Sequence, residues 1–160
     1  VNHMQREEVD ESLKKHGLDH IEPEQWYLVD RFIDVFVDWF ARPNVMSNLV
    51  SVGMAVIKQI PISRDMEMLP MKQQLMLVGD IYSRSHRGGD VGGFQFDWPS
   101  DKHLKITHNC IYPDDLIYGY VYGVARRFLP TGSKFVVRYD EENPRQDEGG
   151  SHTIVHLTWT

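Results

Sequence analysis

The sequence predicts an α+β fold: N-terminal helices packed on a four-stranded antiparallel sheet of β-β-α-β-β order. Three observations carry this. Apolar residues recur at three- and four-residue spacing through the first half. They alternate with period two through the second half. The alternating stretches are divided by a glycine-bearing helical segment, Ile111–Phe128.

The helices come first. Glu7–Lys15 reads as a short polar helix ended by Gly17. Pro23 suits a helix start, where its missing N–H costs nothing, and from Glu24 to Phe40 the residues Trp26, Val29, Phe32, Ile33, Phe36, Val37 and Phe40 form one apolar face. Asp30, Asp34 and Asp38 line the other, and Arg42–Pro43 stops the helix. Asn44 can cap the next one, Val45–Gln59. Its only charged residue is Lys58, so it is expected to be buried on several sides, to line an apolar pocket with Met54, or to form a dimer face. Pro61 closes it, and Pro70 opens Met71–Ser85, with Leu75, Leu77, Val78, Ile81 and Tyr82 as apolar positions.

The strands follow. Phe94, Phe96 and Trp98 alternate with polar residues, the turn Pro99–Ser100–Asp101 intervenes, and Leu104, Ile106, His108 and Cys110 alternate again, giving a hairpin. Phe135, Val137 and Tyr139, then Val155, Leu157 and Trp159, give a second pair across the polar loop Asp140–Gly150. Between the hairpins, Gly119 and Gly123 lie four apart on one helix face and let another backbone approach closely. Mid-helix glycine costs about 1 kcal/mol against alanine, so close packing on a sheet or partner helix is expected there. Arg126–Arg127 sit in the last turn, where the helix dipole favours cations.

Composition narrows the function. With 160 residues, 41% apolar and 25% charged, the chain fits one domain, with a helical half at about residues 5–86 and a β-β-α-β-β half at about 91–160. A net charge of −6 with scattered basic residues argues against nucleic acid. Cys110 is the sole cysteine, which excludes an internal disulfide and suits the reducing cytoplasm. No apolar run is long enough for a membrane span, and there is no signal-peptide pattern. The last residues, Trp159–Thr160, still lie in a strand-like pattern, as expected of a domain from a longer protein.

The element order, with the motif Tyr118-Gly119-x-x-x-Gly123-x-x-Arg126-Arg127-Phe128, resembles the superfamily of H-NOX haem domains, vinyl-reductase-type regulatory domains and Golgi transport-tethering subunits. The resemblance covers roughly Gly93 to Trp159, and the helical half by helix order. It implies a ligand cavity between helices and sheet, and a role as a sensor input or dimerising scaffold. H-NOX domains hold haem propionates with a Tyr-x-Ser-x-Arg motif at the end of the second strand. The matching positions here are His108-x-Cys110-x-Tyr112, and all three residues differ. The family hangs its iron from a histidine on the helix before the first strand, for which His86 is the nearest candidate.

Bottom-up, His108 and Cys110 share a strand face. They are either a metal- or haem-ligating pair or a core histidine beside a buried thiol. The run His86–Gly93 is either an anion-approachable glycine loop with Arg87 as clamp or a helix C-cap and linker. His152 and His156 stand too far apart on a strand to share a metal. Asp114–Asp115 read as first-turn residues favouring the helix dipole, and the acidic loop Asp140–Glu148 lacks calcium-site spacing. Tyr118 and Tyr122 share a helix face and either wall a pocket or pack in the core. No nucleophile, base and orienting group are spaced for catalysis.

The expectation is a non-catalytic cytoplasmic sensory or regulatory domain. It binds a small apolar ligand through His108, Cys110, Tyr112, Tyr118, Tyr122, His86 and Met54, forms a homodimer through its helices, and serves an output domain in the parent chain. A haem gas sensor ligated by His86 or His108, and a pure dimerisation module, are the alternatives, and the cofactor is left open.

Overall fold

The alternating stretches form one antiparallel sheet in the computed structural model, which describes residues 3–41 and 49–160. Its strands are β1 Phe94–Ser100, β2 His103–His108, β3 Phe135–Tyr139 and β4 Thr153–Trp159, in the order β1-β2-β4-β3. Leu104 lies opposite Leu157, and Ile106 opposite Val155. Val137 meets Leu157 from the other side. All of these side chains are buried, so the period-two pattern places its apolar face inward as expected.

Among the described residues the α-helices are α1 His3–Lys15, α2 Val29–Phe40, α3 Leu49–Gln59, α4 Arg64–Glu67, α5 Met71–Arg84 and α6 Asp114–Phe128. The chain divides into two compact units. Val1–Ser47 carries α1 and α2, and Asn48–Thr160 carries the remaining helices and the sheet. In the first unit, Lys15 and His16 at the end of α1 both reach the Asp38 carboxylate of α2, His16 Nε2 at 2.6 Å. In the second, Leu75 and Val78 of α5 and Val121, Val124 and Ala125 of α6 form one core with Leu104, Ile106, Val155 and Leu157.

The tightest approach is between α3 and α6. A Cβ on Gly53 would lie 2.3 Å from the Leu116 carbonyl oxygen, and one on Gly119 would lie 2.3 Å from that of Val50. A Cβ on Gly123 would stand 2.9 Å from the Ile57 Cβ. The close neighbour expected of the α6 glycines is therefore a helix, and it supplies a glycine of its own. Contacts advance in the same direction along both helices, so α3 and α6 run parallel and their C-termini share one end. There the Arg127 guanidinium donates from Nη1 to the carbonyls of Ile57 at 2.7 Å and Ile60 at 2.8 Å, carbonyls that the end of α3 leaves without helical partners.

Several boundaries move. The helix expected from Glu24 begins at Val29, because Glu24 adopts a left-handed φ of 65° and Tyr27 folds back, accepting from the Glu22 N–H and donating to the His20 carbonyl. The expected apolar face is incomplete, since Val37 is exposed. Asn44 and the start Val45 lie outside the described residues. α3 buries only Gly53 and Ile57, a narrower face than its composition suggests. α4, capped by the Ser63 hydroxyl, lies between Pro61 and Pro70, where the sequence pattern assigns no element, and a 3-10 turn at Gln146–Glu148 interrupts the polar loop Asp140–Gly150. β1 runs on through Pro99 to Ser100 past an irregular register after Asp97.

Gly119→Ala is expected to destabilise the fold by about 3 kcal/mol or more, because the clash is with rigid backbone. Gly88 has φ 69° but nothing within 4 Å of a Cβ, so Gly88→Ala should cost only about 1–2 kcal/mol of left-handed strain. Urea unfolding of both variants checks the ranking, and equal losses would refute the backbone-contact account.

Candidate functional site

The residues expected to bind ligand gather where β2 runs out. His108 closes the strand, paired with Phe94 on β1 and Thr153 on β4. It is fully buried, and among the described residues neither ring nitrogen has a hydrogen-bond partner. The Phe94 ring lies 5.8 Å away, and Asp114 Oδ1 lies 3.9 Å from Nε2. Burial pulls the His108 pKa from its ordinary 6.5 down to about 4, against the opposing pull of Asp114. The ring is therefore neutral at pH 7, and its approach to Asp114 is not an ion pair.

Asp114 is itself fully buried at the start of α6. Its Oδ1 accepts from the Thr153 hydroxyl at 2.7 Å, and its Oδ2 accepts from the Asp147 N–H at 3.0 Å. Its own N–H donates to Asp147 Oδ2 at 3.0 Å. One side chain thus joins α6, β4 and the Asp140–Gly150 loop.

Beyond the strand, Cys110 remains buried, its thiol 3.7 Å from the Gly93 carbonyl. Burial raises its pKa to about 12, so the thiol stays protonated and is a poor nucleophile. Tyr82 of α5 donates to the Val91 carbonyl at 2.5 Å and accepts from the Ile111 N–H at 3.4 Å, tying α5 to the segments flanking the hairpin. His86, just past the end of α5, holds the Tyr82 carbonyl through Nδ1 at 2.7 Å and meets the Tyr112 hydroxyl through Nε2 at 3.0 Å. A carbonyl only accepts, so Nδ1 donates to it, and with the proton on Nδ1 alone Nε2 accepts from Tyr112. Both nitrogens are committed. Tyr82, Cys110 and Ile117 form the buried heart of this cluster, with Val91, Phe94, Tyr112 and Tyr120 around it.

The remaining candidates lie elsewhere. Tyr118 donates to the Val137 carbonyl and packs on Tyr139, and Tyr122 packs on Phe135. Both face β3, away from the His108 cluster, which fits the core-packing reading. Met54 lines a groove of about 510 Å³ across α3 and α6, with Ala55, Lys58, Arg126 and Arg127.

Sequence reasoning missed three participants. Asp114 reads as a dipole-favouring residue, although Ile117, three residues later on the same helix face, is an apolar signal that this face is buried. Tyr82 passed for core, and its hydroxyl could not be paired from spacing. His156 was weighed against His152, but its neighbours are His103 at 2.8 Å, on β2, and Asp140 at 2.9 Å. That relay is assembled by cross-strand register and is invisible along the sequence. His156 and the Asn143 amide together hold the Asp140 carboxyl below the usual carboxylate range.

The cluster can be tested for haem. α5 contains no histidine, and His86 spends Nε2 on Tyr112. His86, Tyr82, Tyr112, Cys110 and His108 supply no fixed cation for a propionate, and Asp114 adds a carboxyl beside them. An anionic group there would lose hydration without a charge partner. These residues do not fit a haem held by a strand-end cation and a helix histidine.

His108 also has a stability signature. Its folded pKa lies below its unfolded one, so its stabilisation is full above pH 6.5 and is lost as pH falls toward 4, by roughly 3 kcal/mol at most. His108→Leu is expected to flatten the acid slope of stability between pH 6.5 and 4. Urea titrations of both proteins across that range check it, and coincident slopes would remove His108 as the cause.

No family model and no curated protein matches the chain. Solved structures do. An H-NOX protein from S. oneidensis in the Fe(II)NO ligation state superposes with a TM-score of 0.69 at 13% identity, over 97% of this chain and 89% of that one. A Cs H-NOX mutant carrying 4-cyano-L-phenylalanine gives 0.67 at 17% identity, over 96% and 86%. A mutant H-NOX of T. Tengcongensis gives 0.65 at 17% identity, over 96% and 87%. The chain is similar to H-NOX domains in fold along nearly its whole length.

Proposed function

We propose that this chain is a non-catalytic sensory or regulatory domain, built on the H-NOX fold, that takes a small apolar ligand where those proteins take haem. The observation that carries this is the cluster at the end of β2. It keeps a buried aromatic setting, yet it offers no fixed cation for a propionate, and His86 is bonded at both nitrogens. Phe94, Tyr112 and Tyr120 supply aromatic surface, and the idle nitrogens of His108 supply one polar contact for an uncharged ligand. A protonated Cys110 thiol and a neutral, unpaired His108 support the non-catalytic part of the reading.

In this reading the domain serves a cytoplasmic signalling protein and works as a homodimer. Leu28 and Val37, 67% and 60% exposed, offer apolar surface for a partner helix. Val37→Glu is expected to shift the sedimentation profile toward monomer, and an unchanged profile would sink the dimer face.

The ligand is tested by expression with haem supply, followed by absorption spectroscopy and native mass spectrometry. No Soret band and a retained small organic mass are expected. A Soret band that disappears in His86→Ala would overturn the proposal in favour of a haem sensor.

A further inference from the structure

The groove across α3 and α6 has an unusual charge for this chain. The net charge is −6, yet the groove is lined by Lys58, Arg126 and Arg127. Part of the explanation is local. Two parallel helices end together there, and cations offset their aligned dipoles. Arg127 performs that task directly through the carbonyls of Ile57 and Ile60. Lys58 and Arg126 are not so used, and among the described residues neither is paired with a carboxylate, although 23 acidic residues are present. Three like charges therefore converge on one concavity without a countercharge among the described residues. Ser51, Met54, Ala55 and the side-chain-free backbone of Gly123 also line it, and Met54 and Ala55 give it apolar surface beside the cations. At about 510 Å³ the groove falls in the size range of small-molecule sites, roughly 300–1,000 Å³.

We infer that this groove binds an organic anion. A single carboxylate or phosphate sits among Lys58, Arg126 and Arg127, and a compact apolar body lies over Met54 and Ala55. The charge selects the anion, because guanidinium groups favour planar, two-point contacts with such oxygens. The apolar lining selects against bare inorganic anions, which gain nothing from it. The cations come from both helices, so an occupant bridges α3 and α6 and reinforces their crossing. This site is separate from the His108 cluster and stands whether or not that cluster takes a ligand.

The test uses the full chain and three probes with one apolar body: 2-naphthoate, 2-naphthyl phosphate and the uncharged 2-naphthylmethanol. Titration calorimetry is expected to show saturable binding of at least one anion, at least about tenfold tighter than the alcohol and weakened by added salt. Amide shifts in nitrogen-edited NMR should centre on Ala55 and Gly123. Lys58→Glu and Arg126→Glu change exposed side chains, so the fold should survive, as circular dichroism can verify, while anion affinity falls about tenfold. Naphthoate alone would mark a carboxylate site, and naphthyl phosphate alone a phosphate site; either supports the proposal. Absence of saturable binding by about 5 mM of both anions, equal binding of the alcohol, or indifference to both charge reversals would overturn it.

Discussion

The second unit is organised by a contact in which no side chain takes part: the meeting of α3 and α6 backbones at Gly53 and Gly119. Helices that carry side chains at their crossing sit about 8–10 Å apart. Here the space for a Cβ on either glycine is filled by a carbonyl of the other helix. Two mid-helix glycines on α6 would otherwise be a liability of about 1 kcal/mol each. In return, α3 lies flush on α6, and α6 can press Val121, Val124 and Ala125 into the sheet without a thick intervening layer. Parallel packing follows from the same register, and with it the problem of two helix C-termini at one end. Arg127 answers part of that problem by donating to two otherwise unpaired carbonyls of the α3 end. The cation-lined groove is thus a by-product of the glycine contact, which brings three basic side chains together from two elements.

The opposite logic governs the end of β2. Asp114 is buried with its hydrogen bonds made, and it fixes a loop, a strand and a helix. His108, beside it, is buried with its hydrogen bonds unmade. An unmade buried hydrogen bond costs about 1–3 kcal/mol; among the described residues Ser12 Oγ and Gln146 Oε1 share that condition, but His108 has both of its polar atoms in it. The neutral state of the ring limits the cost, since a charged imidazole without a partner would be worse.

Much of this was legible along the chain. Period-two alternation gave all four strands, because an inward face must be apolar on every strand of a sheet covered by helices. The two glycines of α6 foretold a close backbone neighbour, since few other constraints repay their cost. What could not be read is what depends on neighbours distant in sequence. Gly53 gives no sign in isolation that it is the partner of Gly119. His156 joins His103 and Asp140 only through the pairing of β2, β4 and the turn after β3. Strand alternation places His108 and Cys110 together, whereas Tyr112 enters only through the resemblance, at the last matching position of the propionate motif. Tyr118 and Tyr122 were drawn in by the same helix, but α6 turns them to β3.

The fold and the cluster together separate architecture from chemistry. Likeness in fold at 13–17% identity carries the scaffold and leaves the site to be argued from its own residues. None of His86, Tyr82, Tyr112, Cys110 and His108 offers an anion a fixed positive charge, and His86 is bonded at both nitrogens, whereas both nitrogens of His108 are unpartnered among the described residues. Releasing Nε2 of His86 would break its bond to Tyr112, and Tyr112 packs edge-on against Tyr82, which holds α5 to Val91 and Ile111. The cost of admitting a metal at His86 is therefore spread over three elements, whereas any guest that hydrogen-bonds His108 would break no existing bond of that ring.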